Sequence, residues 1–204
     1  GSFTLFNYIN VAPSFNFTDR MYTNKVMRSW DDTRNKEKAD TLTGFYNVYN
    51  WSLSMSASTK LYGFWTPSRK LFGDKIQAIR HVITPQISFS YSPNFGSRRY
   101  GYYDSYQYTD ANGEVRLVEY SPFSEGMYSV PGKSRTEMIT WDVCNNIEMK
   151  IKSDKDSTGY RKISIIDELG ATMSYNAATD YHKWSDLSMR LRLKWWKNYT
   201  FSMN

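Results

Sequence analysis

Apolar and polar residues alternate in this sequence over stretches much longer than an ordinary β-strand. The run from Ile79 to Pro93 carries mostly apolar side chains at odd positions, whereas polar ones such as Arg80 fill most of the even positions. A period of two places these two sets on opposite faces of a strand. Pro85 has no N–H to donate to a neighbouring strand, so we expect a bulge or a local bend there.

The same alternation predicts further strands along the chain. They cover residues 3–17, 47–61, 138–152, 161–176 and 184–195, and a last strand begins at Tyr199. No helical periodicity occurs between them. The sequence therefore predicts an all-β protein with about 6 or 7 long antiparallel strands.

Two long connections separate some of these strands. The segment 19–44 is rich in charged residues, and we expect a solvated loop or an extension of a hairpin. The ring-rich segment 93–137 contains the turn signal Asn112-Gly113 and is expected to fold as a hairpin or a lid. Short turns on one rim and longer loops on the other, here about 19–46 and 93–137, are typical of an outer-membrane barrel.

Strand length and charge placement favour a membrane barrel over a soluble sheet. A tilted strand from Tyr49 to Leu61 would rise roughly 30 Å, enough to cross a hydrocarbon layer. The apolar register holds one formal charge, Asp167, and the titratable His81. The polar register holds ten charges: Lys60, Arg80, Asp142, Glu148, Lys150, Lys152, Glu168, Arg190, Arg192 and Lys194. Because a basic side chain at the bilayer midplane costs about 2–4 kcal/mol, this asymmetry predicts an antiparallel transmembrane β-barrel.

Six or seven strands cannot close around a polar interior. Residues 1–204 are therefore expected to be part of one larger barrel domain. Large aromatic residues near strand ends suit the two membrane interfaces; these are Trp51, Tyr91, Trp141, Trp184 and Trp195. The alternative interpretation is that they are ordinary core aromatics.

Three segments resemble a known family. The first is Arg80-His81 with Pro85 and then Tyr91-Ser92-Pro93; the second is Phe6-Asn7-Tyr8 leading to Pro13-Ser14-Phe15-Asn16-Phe17; the third is Tyr175-Asn176 through Asp180 to Trp184-Ser185. Together they are similar to the barrel of the LptD family of lipopolysaccharide-assembly proteins, in the form typical of Bacteroidota. Nothing here resembles the periplasmic N-terminal domain of that family.

The resemblance implies a location and a set of partners. It implies the cell outer membrane of a Gram-negative bacterium and the insertion of lipopolysaccharide into the outer leaflet. It also implies an LptE-type lipoprotein plug, contact with outer-membrane lipid, and a periplasmic Lpt bridge component that docks on the domain absent here. By this resemblance the mechanism is passage of a lipid, with no bond chemistry.

Other classes of function have little support in the sequence. The net charge of +6 is not gathered into a recognition helix or an RNP-like run, so we expect no nucleic-acid partner. His81 and His182 stand without a nucleophile motif, and a single cysteine, Cys144, gives neither a disulfide nor a metal-ligand spacing. We therefore expect no enzyme activity, no cofactor and no metal. We interpret His81 as a structural or interfacial residue, and Cys144 as a free thiol or part of an interior wall.

One group of basic residues is a candidate binding site for an anionic ligand. Arg190, Arg192 and Lys194 share a register, and Lys150 and Lys152 lie two strands away. In a barrel they would point into interior water, where they could bind the phosphates or acidic sugars of a glycolipid. The alternative is that mixed charge simply lines a polar interior.

Two other readings of the whole chain stay open. One is a different outer-membrane barrel, such as a porin, a receptor-type transporter or a secretion channel. The other is a soluble β-sandwich or lectin-like binding module, in which residues 95–128 would form the ligand surface.

Overall fold

The structure, a computed structural model, describes residues 1–68, 75–153, 159–195 and 199–203. The strands in these ranges are β1 (Phe3–Leu5), β2 (Ile9–Asp31), β3 (Lys36–Ser58), β4 (Leu61–Trp65), β5 (Ile76–Ser92), β6 (Asp104–Thr109), β7 (Val115–Tyr120), β8 (Thr136–Lys152), β9 (Tyr160–Asn176), β10 (Ser188–Trp195) and β11 (Tyr199–Met203). No helix within those ranges is long and apolar enough to cross a membrane.

Nine of the strands form one sheet, in the order β1-β2-β3-β5-β8-β9-β10-β11, with β4 also paired to β5. The pairs with a described register are all antiparallel. Strands β6 and β7 form a separate hairpin. The prediction of an all-β antiparallel protein is confirmed. Within the described part of the chain, β1 and β11 end the strand order and do not pair with each other, so the sheet is not closed into a barrel.

At Pro85, where the sequence predicts a bulge or a local bend, the neighbouring strand is broken. Strand β5 continues through Pro85, whereas β3 ends at Ser58 and β4 begins at Leu61. The pairing of Leu61 with Ile83 and the bond from the Thr59 N–H to the Pro85 carbonyl, 3.2 Å, place this break opposite the proline. Because proline offers no N–H at this point, the neighbouring strand loses a ladder hydrogen bond and is divided in two.

The chain divides into two compact units, and the first contains residues 1–14, 54–90 and 137–204. Among its described residues only Val11, Pro67 and Gly170 are buried. Long strands without a packed interior cannot be stabilised in water by burial of apolar surface, which normally dominates folding. Burial of apolar surface within the described part of this unit therefore contributes little to its stability.

A β-bulge interrupts the alternation in β9. Leu169 pairs with one residue of β8 and Ile166 with the residue two positions further on, so three steps along β9 match two steps along β8. Asp167 therefore has no partner in the register with β8 or with β10. The side chain of Asn146 donates to the Asp167 carbonyl at 3.0 Å. The one formal charge predicted for the apolar register thus lies at an irregularity, where strict alternation does not hold.

The second unit contains residues 15–53 and 91–136 and has a packed aromatic core. The core consists of Tyr22, Val48, Phe95, Tyr102 and Phe123, all buried. Residues 94–130 supply three of these side chains, and β2 and β3 supply the other two. The ring-rich segment therefore folds onto the hairpin of β2 and β3.

Three details of the predicted element boundaries are corrected. Of the two expectations for 19–44, the structure has the hairpin extension, because β2 and β3 continue to a turn at residues 32–35. The predicted strands leave out residues 62–75, because Gly63 and Pro67 are typical of a connection, but β4 occupies the start of this segment. Residues 69–74 lie outside the described part. Trp51 lies inside β3 and not near its end, because that strand extends far beyond the predicted limit.

Candidate functional site

Several strands leave large apolar side chains of the apolar register uncovered. These side chains are 37–56 % exposed at Leu53, Met55, Leu61, Ile87, Val143 and Met189. The arrangement is clearest in β3, where the alternating Ser54 and Ser56 are half-buried. A soluble sandwich would bury the apolar set and expose the polar one. In β5 and β8, by contrast, most side chains on both faces are half-buried.

The polar face of the first unit carries an ion-pair network across β8, β9 and β10. Arg190 contacts Asp142 on β8 at 2.8 Å and Glu168 on β9 at 3.1 Å, and its Nη1 donates to Thr172 Oγ1 at 2.6 Å. Arg192 forms a second ion pair with Glu168, and the Thr172 hydroxyl donates to Asp142. Two arginines therefore face two carboxylates.

Glycine makes room for this network. Arg190 is paired with Gly170 in the register of β9 and β10, and its guanidinium lies directly over that glycine. A Cβ at position 170 would be 2.7 Å from Nη2 of Arg190. The absent side chain allows the guanidinium to lie flat between its two acidic partners.

This geometry changes the interpretation of the predicted basic residues. Arg190 and Arg192 belong to the described strands as expected, but Asp142 and Glu168 balance their charges. Lys194 and Lys152 are exposed, and the ammonium of Lys150 lies 4.2 Å from the centre of the Tyr160 ring. Binding of an anionic glycolipid by these five residues stays a prediction.

A second polar group lies on β5, β8 and β9. Arg80 contacts Glu148 at 2.5 Å, and Lys150 is directly opposite Lys162. These residues line a cavity of about 200 Å³ together with Phe64, Ala78 and Met149. The predicted strands leave out Phe64, because Gly63 and Pro67 are typical of a connection, and they assign Lys162 to neither face. Strict alternation from Ser164 would have assigned Lys162.

His81 of β5 contacts the neighbouring strand β8. Its Nε2 lies 3.0 Å from Oδ1 of Asn145 on β8, and the Asn145 amide donates to the carbonyl of Leu169 at 3.2 Å. With the amide in this orientation, Nε2 is the donor to Asn145. Cys144 is a half-buried free thiol opposite Gly170. Within the described ranges, no group of three or more His, Cys, Asp or Glu side chains is arranged to hold a metal ion.

The predicted interfacial aromatics form contacts between strands and loops. Trp141 stacks on Trp184 with ring centres 5.5 Å apart, and Trp184 contacts Tyr175 at 4.9 Å. In the second unit, Trp51 contacts Tyr91 at 5.6 Å. The side chain of Trp195 lies outside the described part.

The family-like residues have identifiable structural roles. Arg80 and His81 contact β8, Pro85 faces the break between β3 and β4, Tyr91 packs on Trp51, and Pro93 is buried where the long segment begins. All five therefore shape strand β5 and its surroundings.

The described residues thus form an all-β, antiparallel sheet protein with exposed apolar side chains and with ion pairs among its polar residues. The family model described as LptD protein matches residues 1–204, and the chain belongs to the LptD family. No curated protein and no solved structure matches it. Members of the LptD family act in lipopolysaccharide transport and assembly, and the family is not a family of enzymes.

Proposed function

We propose that this chain forms part of the wall of an outer-membrane β-barrel that inserts lipopolysaccharide into the outer leaflet. The proposal rests on membership of the LptD family and on one structural observation: large side chains of the apolar register are exposed, most clearly Leu53 and Met55 in β3. In a barrel that register contacts acyl chains, and the polar register contacts interior water.

The energetics support this assignment. Exposed apolar surface costs about 25 cal/mol per Å² in water, and Leu53, Met55 and Met189 are among many large side chains left uncovered. A hydrocarbon layer removes that cost. The same layer would penalise the ion-paired residues, which the alternation keeps on the other face.

The remaining strands of the barrel would pair with β1 and β11 at the two ends of the sheet. A barrel has no free edges, whereas both ends of this order present unpaired backbone groups. The hairpin extension at about 19–46 and the segment 93–137 would then lie on the outer rim. The polar residues Arg190, Arg192, Lys194, Lys150 and Lys152 would line the interior.

The proposed partners follow from the family. They are lipopolysaccharide, an LptE-type lipoprotein plug, and a periplasmic bridge component that delivers the lipid to a domain not described here. The proposed location is the outer membrane of a Gram-negative bacterium of the Bacteroidota type.

Depletion of the full-length protein in its native host tests this function. We expect newly made lipopolysaccharide to stop reaching the cell surface and to accumulate in the inner membrane, while general diffusion of small solutes across the outer membrane is unchanged. Unchanged surface lipopolysaccharide after depletion would overturn the proposal, and loss of solute uptake alone would favour a porin or a receptor-type transporter.

A further inference from the structure

The cavity beside Phe64 combines unbalanced positive charge with an exposed aromatic ring. It contains more cations than its acidic residue can balance, since Arg80, Lys150 and Lys162 face the single carboxylate Glu148. It also contains an aromatic ring that is 74 % exposed, Phe64. Neither feature is needed for the pairing of the strands.

The two lysines are in an unfavourable arrangement without a ligand. Lys150 and Lys162 are direct partners across β8 and β9, and like charges directly opposite one another destabilise a sheet. The Tyr160 ring offsets part of this cost for Lys150. Lys162 has no ion pair with any described residue. An anion between the two ammonium groups would remove the repulsion.

The nearby Arg190 network differs in this respect. Its two arginines are matched by Asp142 and Glu168, so an arriving anion would compete with existing ion pairs. At the Phe64 cavity, Arg80 keeps Glu148 occupied at 2.5 Å and leaves both lysines available. The Phe64 cavity therefore has two lysines without a carboxylate partner among the described residues, whereas both arginines of the Arg190 network are ion-paired. Both sites lie on the polar face.

The aromatic residues narrow the class of ligand. Phe64 is directly opposite Arg80, and Tyr62, which is opposite Val82, lies on the same face two residues away along β4. Both rings are exposed, Tyr62 by 55 %. A sugar ring has a flat face of C–H groups that packs on an aromatic ring, and a phosphate accepts charge-assisted hydrogen bonds from lysine and arginine.

We propose that Phe64, Arg80, Lys150 and Lys162 form a binding site for a phosphorylated sugar, supplied by the headgroup of a glycolipid. The lysines bind the phosphate, Phe64 packs against the sugar, and Glu148 holds the Arg80 guanidinium in position. This inference rests on the proposed function and moves the anion site from the predicted residues Arg190 and Arg192 to this cavity.

Photo-crosslinking in the full-length protein in its native host tests the site. The probe, p-benzoylphenylalanine, replaces Phe64 in one variant and Lys194, elsewhere on the polar register, in a second. We expect both positions to crosslink to lipopolysaccharide. The substitutions Lys150→Gln and Lys162→Gln should lower the crosslink at position 64 by about tenfold and leave that at position 194 unchanged.

Matched controls separate the possible outcomes. The pair Lys36→Gln and Lys183→Gln, at an exposed and a half-buried position, removes the same charge elsewhere and should change neither crosslink. A crosslink at 194 with none at 64, or one at 64 that is insensitive to Lys150→Gln and Lys162→Gln, would overturn the site alone. Absence of crosslinks at both positions, in a protein that assembles, would contradict the proposed function as well.

The phosphate requirement is tested on the purified full-length complex. Lipopolysaccharide whose sugars have been enzymatically dephosphorylated should crosslink at position 64 about tenfold less than the intact lipid. Inorganic phosphate should compete with the intact lipid, whereas chloride at the same ionic strength should not. Equal crosslinking of the two lipids would overturn the assignment of a phosphorylated ligand.

Discussion

The hydroxyl of Tyr102 accepts the backbone N–H of Tyr49 at 2.8 Å and donates to the backbone carbonyl of the same residue at 2.9 Å. One side chain thus provides the two hydrogen bonds that a neighbouring strand would otherwise give to Tyr49 of β3. Burial raises the pKa of the Tyr102 phenol above its ordinary value, although the bond with the Tyr49 backbone partly opposes this. The phenol therefore stays protonated and keeps the O–H that donates to the Tyr49 carbonyl.

The same long segment also covers β2. The Val26 N–H donates to the Pro122 carbonyl at 2.8 Å, and the Arg28 N–H donates to the Tyr120 hydroxyl at 2.9 Å. An uncovered strand edge can pair with other chains. In this unit, residues 94–130 protect backbone groups of both strands of the hairpin.

Tyr102→Phe should loosen this segment. The change removes both bonds and leaves the N–H and C=O of Tyr49 without partners, at a cost of about 1–3 kcal/mol. We expect faster hydrogen exchange at the Tyr49 amide and faster proteolysis within 91–136 of the full-length protein. Tyr108→Phe is the control, because the Tyr108 ring contacts Trp30 through its carbon atoms. Equal effects of the two substitutions would contradict the role of the Tyr102 hydroxyl.

Arg190→Ala should destabilise the joint between β8, β9 and β10. It removes three hydrogen-bonded contacts and leaves Asp142 without its ion-pair partner, and we expect a loss of about 1–3 kcal/mol. Urea unfolding of the full-length protein in lipid measures the change. Arg190→Lys keeps the charge but cannot reach all three acceptors, so it should recover only part of the loss. Full stability of Arg190→Ala would show that the network is not structural.

His81 and Asn145 should be energetically coupled. In a double-mutant cycle with His81→Leu and Asn145→Leu, we expect a coupling of about 0.5–1.5 kcal/mol, since each single change leaves the other polar group without its partner. The control cycle combines His81→Leu with Asn146→Leu, because Asn146 bonds to the Asp167 carbonyl instead. Additive effects in the first cycle would contradict the contact.

The hairpin of β6 and β7 should weaken in acid. Asp110 accepts the N–H groups of Glu114 and Asn112 and the Nε–H of Arg116, and these bonds lower the pKa of its carboxyl below the ordinary 3.8. A lowered folded-state pKa adds stability that is present above the ordinary value and is lost as the pH falls through the lowered one. Hydrogen exchange of residues 104–120 should therefore accelerate below about pH 4. Asp110→Asn should abolish this acid dependence, and its persistence would contradict the assignment.

The alternation in the sequence is sufficient to predict most strands and the two faces of each, because a period of two follows directly from strand geometry. It could not reveal the long-range partners of charged residues. Arg190 meets Asp142 only because β8, β9 and β10 are neighbours and Gly170 leaves space, and neither fact is encoded locally. Likewise, β4 was missed because Gly63 and Pro67 are typical of a connection, whereas pairing with β5 overrides that local preference.

Spin-label accessibility along β3 is the most direct test of which face meets lipid. Single cysteines at positions 52–57 of the full-length protein, in a Cys144→Ser background and reconstituted in bilayers, each carry a nitroxide. We expect labels at Leu53, Met55 and Ala57 to collide with oxygen, which concentrates in hydrocarbon, and labels at Ser52, Ser54 and Ser56 to collide with a water-soluble nickel reagent. Accessibility without this two-residue period, or with the two faces exchanged, would contradict the account.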